Sequence, residues 1–265
     1  MAEKILRFLI YFDLFSYPLT KAELATYIGA GPDESSKLDE ALKALIQSGI
    51  IFHNGDYYQI NPDQNIVERR IKGNELAIRR MKTAVRFSKI IARFPYVRGV
   101  LLSGSISKGF MAENDDIDYF IITSPGRVWL ARTLLTLFKK IFLFNSYKNF
   151  CINFFPDDKH LALQERDLYA ATEIVFLIPT FNHGLYHEIL KVNDWVKNFY
   201  PTFRQASTYE VRPVTILKPF FEYLLNNRLG EWIENKLYQK SKKIINNKYK
   251  HLDRDAFEQS FTLEQ

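Results

Sequence analysis

Residues 99–122 read GVLLSGSISKGFMAENDDIDYFII, and this stretch decides the fold of the central part of the chain. The apolar runs at 97–102 and 117–122 predict two buried strands. Between them, Gly104-Ser105 is followed by ten residues and then by Asp116-Ile117-Asp118. Side chains at positions i and i+2 of a strand point to the same face, so we expect Asp116 and Asp118 to converge while Ile117 enters the core.

These residue types favour chemistry on a phosphate-bearing substrate. Phosphoryl and nucleotidyl transfer require charge neutralisation and positioning rather than covalent help from the protein. The carboxylates of Asp116 and Asp118 would hold Mg²⁺ or Mn²⁺ together with phosphate oxygens. Gly104 would let the backbone approach a phosphate, Ser105 would hold it, and Lys108 would add positive charge. Asp115 is better interpreted as a turn residue, and an isolated Asp-x-Asp also occurs in glycosyltransferases and calcium loops.

The stretch resembles the signature of the DNA polymerase β-like nucleotidyltransferase superfamily. That signature is an apolar strand, Gly-Ser, a spacer of similar length, and Asp-x-Asp on the next strand. Residues 104–109 also match its Gly-Ser-x-small-x-Gly extension. The resemblance is close over 97–122 and loose over 97–155. It implies Asp116 and Asp118 as catalytic, metal-binding residues, and Gly104, Ser105 and Lys108 as contacts for a nucleoside triphosphate, with ATP as the expected nucleotide.

The sequence departs from that pattern at the next predicted strand, 149–155. Members of the superfamily usually carry a third carboxylate there, which helps to activate the acceptor hydroxyl. Asn153 occupies the corresponding position. An amide cannot serve as a base near pH 7. Either Asp157 or Asp158 substitutes from the following loop, or nucleotide binding persists while catalysis is weak or lost.

Residues 1–65 predict a small N-terminal domain of three helices and a hairpin. Thr20 and Glu23 have capping-box spacing at the start of the second helix. Asn54-Gly55, between two apolar runs, predicts the hairpin. The pattern resembles a winged helix-turn-helix domain. The domain carries five basic and nine acidic residues, a net charge of −4, so DNA binding is disfavoured against a packing or protein-contact role.

Three further segments complete the expected organisation. A connecting helix over 66–95, interrupted at Gly73, is strongly basic, with ten basic and two acidic residues between 66 and 98. It is either a solvated connector or a basic wall beside a phosphate-bearing ligand. An α/β core follows over 96–163. Helical patterns separated by prolines then predict a C-terminal helical domain over 164–265.

Composition sets broader limits. Apolar residues make up 47% of the 265 positions, enough for buried cores, and the net charge of +6 suits a polyanionic ligand. Cys151 is the only cysteine, so an intrachain disulfide is excluded, and its apolar neighbours predict a core position. No apolar run reaches about 18 residues, so no membrane span is expected. A cytoplasmic location fits these features.

The sequence therefore predicts an α+β protein with a nucleotidyltransferase-type core, an N-terminal winged-helix domain and a C-terminal helical domain. The expected reaction moves a nucleoside monophosphate from a nucleoside triphosphate to a hydroxyl group of an unidentified protein, RNA or small molecule. Two alternatives remain open at this point. One is a nucleotide- or RNA-binding module on the same fold. The other is a winged-helix DNA-binding regulator.

Overall fold

The structure is a computed structural model that describes residues 1–146, 148–203, 209–213 and 217–248, with side chains up to residue 244. The chain combines helices with two small sheets, one of three strands and one of four. The predicted α+β class is confirmed at this level.

The N-terminal part folds into helices packed on the three-stranded sheet. The helices are α1 (Ala2–Asp13), α2 (Lys21–Ile28) and α3 (Ser35–Gln47), with a short 3₁₀ helix at Pro32–Glu34. The strands β1 (Leu19–Thr20), β2 (Phe52–Asn54) and β3 (Tyr57–Gln59) pair antiparallel in the order β1-β3-β2. The expected capping box is present, because Thr20 Oγ1 accepts from Glu23 N and Glu23 accepts from Thr20 N. The hairpin predicted from Asn54-Gly55 joins β2 to β3 and is also confirmed.

A single helix, α4 (Asn65–Ile91), connects the two sheets. The predicted interruption at Gly73 is wrong, because the helix continues through it. Gly73 is buried, and a Cβ there would lie 2.2 Å from Cε2 of the Phe110 ring. Met111 N also donates to Gly73 O at 3.1 Å. The glycine therefore allows the segment after Gly104 to pack directly on the helix.

The second sheet holds the two strands predicted from residues 99–122. Its strands are β4 (Val97–Ser103), β5 (Asp118–Thr123), β6 (Cys151–Phe154) and β7 (Ile178–Phe181), in the order β6-β5-β4-β7. β4 is antiparallel to β5, while β5 and β6 are parallel and joined through α6 (Val128–Phe142). The short helix α5 (Gly104–Ser107) follows β4 at the edge where β5 begins.

The fourth strand, β7, was not predicted. The sequence indicated helices on both sides of Pro179, whereas Ile178–Phe181 pairs antiparallel with β4. Leu101 pairs with Pro179, beside a register irregularity in β4. A proline has no N–H for the ladder and is accommodated at an edge strand. The sheet therefore includes residues beyond 163, where only helices were expected.

The remaining helices are α7 (Leu168–Val175), α8 (His183–Val192), α9 (Leu217–Leu225) and α10 (Arg228–Lys248), with a 3₁₀ helix at Asp194–Asn198. Two glutamates attach α9 and α10 to the sheet layer. Glu222 accepts from Tyr96 N at 2.6 Å and pairs with Arg98 at 2.8 Å. Glu234 accepts from Trp129 N and Leu130 N at 2.8 and 2.7 Å, which satisfies the free N–H groups at the start of α6.

One apolar core joins the N-terminal helices to α7 and α8. Phe8 of α1 packs on Tyr200 with ring centroids 5.1 Å apart, and Tyr27 of α2 packs on Phe176 at 5.6 Å. A second core lies between α4 and the four-stranded sheet. The shared core places the C-terminal end of α1 close to the loop that follows β4. No helix in the described part of the chain is long and apolar enough to cross a membrane.

Candidate functional site

The site begins at the turn that ends β4. Gly104 has φ +65°, a left-handed conformation that side chains disfavour. A Cβ on Gly104 would lie 2.3 Å from Asp118 Oδ2 and 3.1 Å from its Cγ. Glycine is therefore required at this position for two independent reasons. Gly104 and Asp118 lie together in the structure, and the group close to the Gly104 backbone is the Asp118 carboxylate, where the sequence predicted a phosphate.

Side-chain burial alternates along residues 116–118, as expected where a strand begins. Ile117 is fully buried in the core, whereas Asp116 and Asp118 are half-buried. Asp118 pairs with Ser103 on one side and with Cys151 on the other. Burial raises the pKa of Asp118, and the charges of Asp116 and Glu173 add to the shift. A hydrogen bond with Cys151 and the charge of Lys108 oppose it. This edge of the sheet therefore concentrates negative charge.

Asp115 holds the loop between the two strands in place. Its Oδ2 accepts from Ser105 Oγ at 2.9 Å and from Ala112 N at 2.8 Å. Arg80 of α4 donates to the Asp115 carbonyl oxygen. The sequence-based interpretation of Asp115 as a turn residue agrees with this geometry. The Ser105 hydroxyl, expected to contact phosphate, donates to Asp115, and its side chain lines the adjacent cavity.

Lys108 is paired with a residue that the sequence did not single out. Its Nζ lies 2.7 Å from Glu173 Oε1 and donates to Gly104 O at 3.2 Å. The Lys108 side chain is only 16% exposed. Glu173 belongs to α7 and is separated from Lys108 by 65 residues. No local pattern could have linked the two.

Asn153 reaches the site through an irregularity in β6. Tyr119 pairs with Ile152, and the next pair is Phe120 with Phe154, so Asn153 is the extra residue between them. Asn153 is exposed and lines the same cavity as Asp118. An amide therefore lines the cavity at the strand position for which the resemblance implies a carboxylate.

Asp157 and Asp158 lie at the opposite end of β5. Asp157 forms a bridge with Thr123, and Asp158 N donates to Thr123 O. Thr123 is the last residue of β5 and Asp118 the first, a separation of about 16 Å at about 3.3 Å per residue. The Asp157 carboxylate accepts from the backbone N–H groups of Lys159 and His160. Neither aspartate is brought to Asp116 and Asp118.

A cavity of about 580 Å³ opens beside these residues. One part of its lining is polar and comprises Gly104, Ser105, Lys108, Asp115, Asp118, Asn153 and Glu173. The other part is aromatic and comprises Tyr11, Phe12, Phe15, Tyr17, Phe110 and Tyr169. Asp116 is not among the lining residues, although its charge is close enough to raise the pKa of Asp118.

The N-terminal part of the chain supplies much of the aromatic lining. The Tyr17 hydroxyl donates to the Lys108 carbonyl oxygen at 2.7 Å, which attaches the segment after α1 to the loop after β4. Arg70 of α4 is buried, stacks 3.6 Å over the Tyr17 ring and pairs with Glu23 at 2.6 Å. These contacts hold the aromatic lining in position. The sequence did not predict that the N-terminal part of the chain contributes to the cavity.

The basic residues of α4 fall into different environments. Arg69 lines the cavity, donates to the carbonyl oxygens of Phe15 and Ser16, and lies over the Phe110 ring. Arg70 and Arg80 are used in internal contacts. Several other basic side chains of the helix are exposed, including Lys72, Arg79, Lys82, Arg86 and Lys89. Most of the basic side chains of α4 are therefore exposed to solvent, and Arg69 is the one that lines the cavity.

Cys151 differs from the expected core residue. It is half-buried at the start of β6, beside Asp118. Burial raises the pKa of its thiol to about 12, and the hydrogen bond with Asp118 and the charges of Asp118 and Asp116 add to the shift. The thiol is thus a hydrogen-bond donor to the carboxylate rather than a nucleophile.

Within the described residues, no group of three or more His, Cys, Asp and Glu side chains is arranged to hold a metal ion. The candidate metal ligands are the carboxylates of Asp116 and Asp118, which are hard oxygen donors. The pKa of Asp118 is raised. Two carboxylates suit Mg²⁺ when a substrate phosphate supplies further oxygens. The donor set thus fits a metal ion that binds together with its nucleotide. Searches of protein-family models, curated proteins and solved structures found no match to this chain.

Proposed function

We propose that this chain is a metal-dependent nucleotidyltransferase that moves a nucleoside monophosphate from a nucleoside triphosphate to a hydroxyl group. One observation carries the proposal. Asp118, with Asp116 beside it, is packed against the glycine of the Gly104-Ser105 turn and faces a cavity of about 580 Å³. The proposed architecture is a nucleotidyltransferase-type core between a winged-helix domain and a C-terminal helical domain.

Asp116 and Asp118 would hold Mg²⁺ or Mn²⁺. Burial and neighbouring carboxylates make the ionised form of Asp118 unfavourable without a counter-charge, and a divalent cation would supply that charge. When bound, the metal would neutralise the charge on the phosphates and stabilise the leaving oxygen. The Cys151 thiol, which lowers the Asp118 pKa through a hydrogen bond, and the Gly104 backbone both lie beside the Asp118 carboxylate.

The triphosphate would lie along the polar lining, with ATP as the expected nucleotide. Gly104 and Ser105 border the cavity, and Lys108 and Arg69 provide cationic groups on its wall. An arginine or lysine within hydrogen-bond distance of a phosphate oxygen forms a charge-assisted hydrogen bond with it. The aromatic wall of Tyr11, Phe15 and Tyr169 suits a flat ring, such as the base.

The second candidate is a nucleotide-binding module that lacks turnover. Asn153 favours it, because the cavity holds an amide at the expected third position and Asp157 and Asp158 are remote. The acceptor for an active enzyme would be a hydroxyl on a protein, an RNA or a small molecule. The regulator alternative is weaker, since Tyr17 of the N-terminal domain forms part of the cavity wall, where Arg70 of α4 stacks on its ring.

Calorimetric titration with ATP and Mg²⁺ tests the proposal. The wild-type chain should bind ATP in a metal-dependent manner, and Asp116→Asn with Asp118→Asn should weaken binding strongly. Asp158→Asn, at the far end of β5, is the matched control and should bind normally. Unchanged binding by a folded double variant would refute the assignment. Pyrophosphate release from labelled ATP then distinguishes the enzyme from the binding module.

A further inference from the structure

Glu173 places a carboxylate in the cavity that Asn153 also lines. It lines the cavity together with Asp118 and Asn153, and its charge is close enough to raise the pKa of Asp118. α7 presents Glu173 and Tyr169 on one face, because the two residues are four positions apart. Asp167 caps the helix through Ala170 N at 2.7 Å and so fixes where this face begins.

The partner of Glu173 is a group that a triphosphate would also attract. Lys108 Nζ lies 2.7 Å from Glu173 Oε1, and the two side chains are 16% and 31% exposed. Lysine is a compact charge on a flexible stem, so its ammonium group can move between neighbouring anions. A bound triphosphate would compete for Lys108, and the Glu173 carboxylate would then be free within the cavity.

We propose that Glu173 is the acceptor-activating base, held by Lys108 in the nucleotide-free chain and released when a triphosphate binds the lysine. This inference rests on the proposed function. The Glu173 carboxylate takes the proton of the acceptor hydroxyl, whose oxygen forms a bond to the α-phosphorus. The bond from the α-phosphorus to the bridging oxygen breaks, and pyrophosphate leaves with that electron pair. Asn153 lies in the same cavity and cannot take this proton.

If the Lys108–Glu173 ion pair is purely structural, different results are expected. If Glu173 only holds the loop after β4 against α7, its removal should lower stability and nucleotide affinity together. As a base held by Lys108, Glu173 should affect turnover without being needed for nucleotide binding. Its removal should even strengthen binding, because Lys108 is then available to the phosphates. That gain should require Lys108.

The test uses the full-length chain with labelled ATP and Mn²⁺, with water and a pool of short oligoribonucleotides as acceptor probes. Pyrophosphate release is measured at saturating ATP, and ATP affinity is measured by calorimetry. Glu173→Gln should reduce turnover by about 10²–10⁴-fold, the usual contribution of a positioned base. Its ATP affinity should equal or exceed that of the wild type. Glu188→Gln, which removes an exposed glutamate paired with Lys191, is the matched control and should change neither quantity.

Two double variants complete the experiment. In a Lys108→Met background, Glu173→Gln should no longer increase ATP affinity. Adding Asn153→Asp to Glu173→Gln should restore part of the turnover, because a carboxylate returns to the same cavity. Full turnover by Glu173→Gln, or parallel losses of ATP affinity and stability, would overturn the role of Glu173 and leave the proposed function intact. A wild-type chain that binds ATP without releasing pyrophosphate would overturn the role of Glu173 and favour the binding module over the enzyme. Absence of ATP binding by the wild type would refute the proposed function itself.

Discussion

Substitution of Gly104 by alanine should disrupt the site more than the same change at a neighbouring glycine. Gly104 and Gly109 have φ values of +65° and +72°, so alanine at either position costs about 1–2 kcal/mol of left-handed strain. A Cβ on Gly109 would have no heavy atom within 4 Å, whereas a Cβ on Gly104 would lie 2.3 Å from Asp118 Oδ2. Gly109→Ala is therefore a matched control for backbone strain alone.

The extra cost at Gly104 follows from the atoms that it would meet. Asp118 Cγ and Cβ are also only 3.1 and 3.2 Å away, so rotating the end of the carboxylate does not remove the overlap. Overpacking of this kind costs about 1–3 kcal/mol. We expect Gly104→Ala to lower the free energy of unfolding by about 2–5 kcal/mol, against about 1–2 kcal/mol for Gly109→Ala.

Urea unfolding at pH 7 measures both changes through the transition midpoint. Adding Asp118→Ala should remove most of the extra cost of Gly104→Ala, since the overlapping carboxylate is then gone and only the Cβ at 3.2 Å remains. ATP binding should be lost in Gly104→Ala and retained in Gly109→Ala. Equal destabilisation by the two glycine substitutions would refute the packing of Gly104 against Asp118.

Two further predictions concern charge. Asp118→Asn should stabilise the metal-free chain at pH 7. Burial, followed by the charges of Asp116 and Glu173, raises the Asp118 pKa above 3.8, so the ionised form is unfavourable in the folded state. That cost is fully present above the Asp118 pKa of the folded state and disappears as the pH falls below 3.8. The advantage of the variant in urea unfolding should therefore shrink at low pH. A gain in stability that persists at low pH would contradict an origin in the Asp118 charge. Lys37→Ala with Lys43→Ala on α3 should leave the DNA affinity of the full-length chain unchanged in anisotropy measurements at physiological salt, because residues 1–65 carry a net charge of −4. A drop in affinity with a shallower salt dependence would show that α3 contacts phosphates.

The sequence by itself determined the elements whose signals are local. The apolar runs around Gly104-Ser105 and Asp116-x-Asp118 predicted β4 and β5 to within one residue at each end. Thr20 and Glu23 predicted the start of α2, and Asn54-Gly55 predicted the hairpin. Such signals can be identified in the sequence because capping, turn chemistry and side-chain alternation involve residues only a few positions apart. The same alternation predicted that Ile117 enters the core between Asp116 and Asp118, and Ile117 is fully buried.

Only the tertiary structure decided which distant residues complete the site. Glu173 meets Lys108 across 65 residues, and Tyr17 meets Lys108 across 91. Gly73 indicated a helix break in the sequence, but packing against Phe110 makes it a contact point within an unbroken helix. β7 was missed for a similar reason, since its pairing with β4 is not encoded in its own periodicity. Contacts of this kind depend on how the helices and sheets pack, and sequence spacing carries no record of that packing.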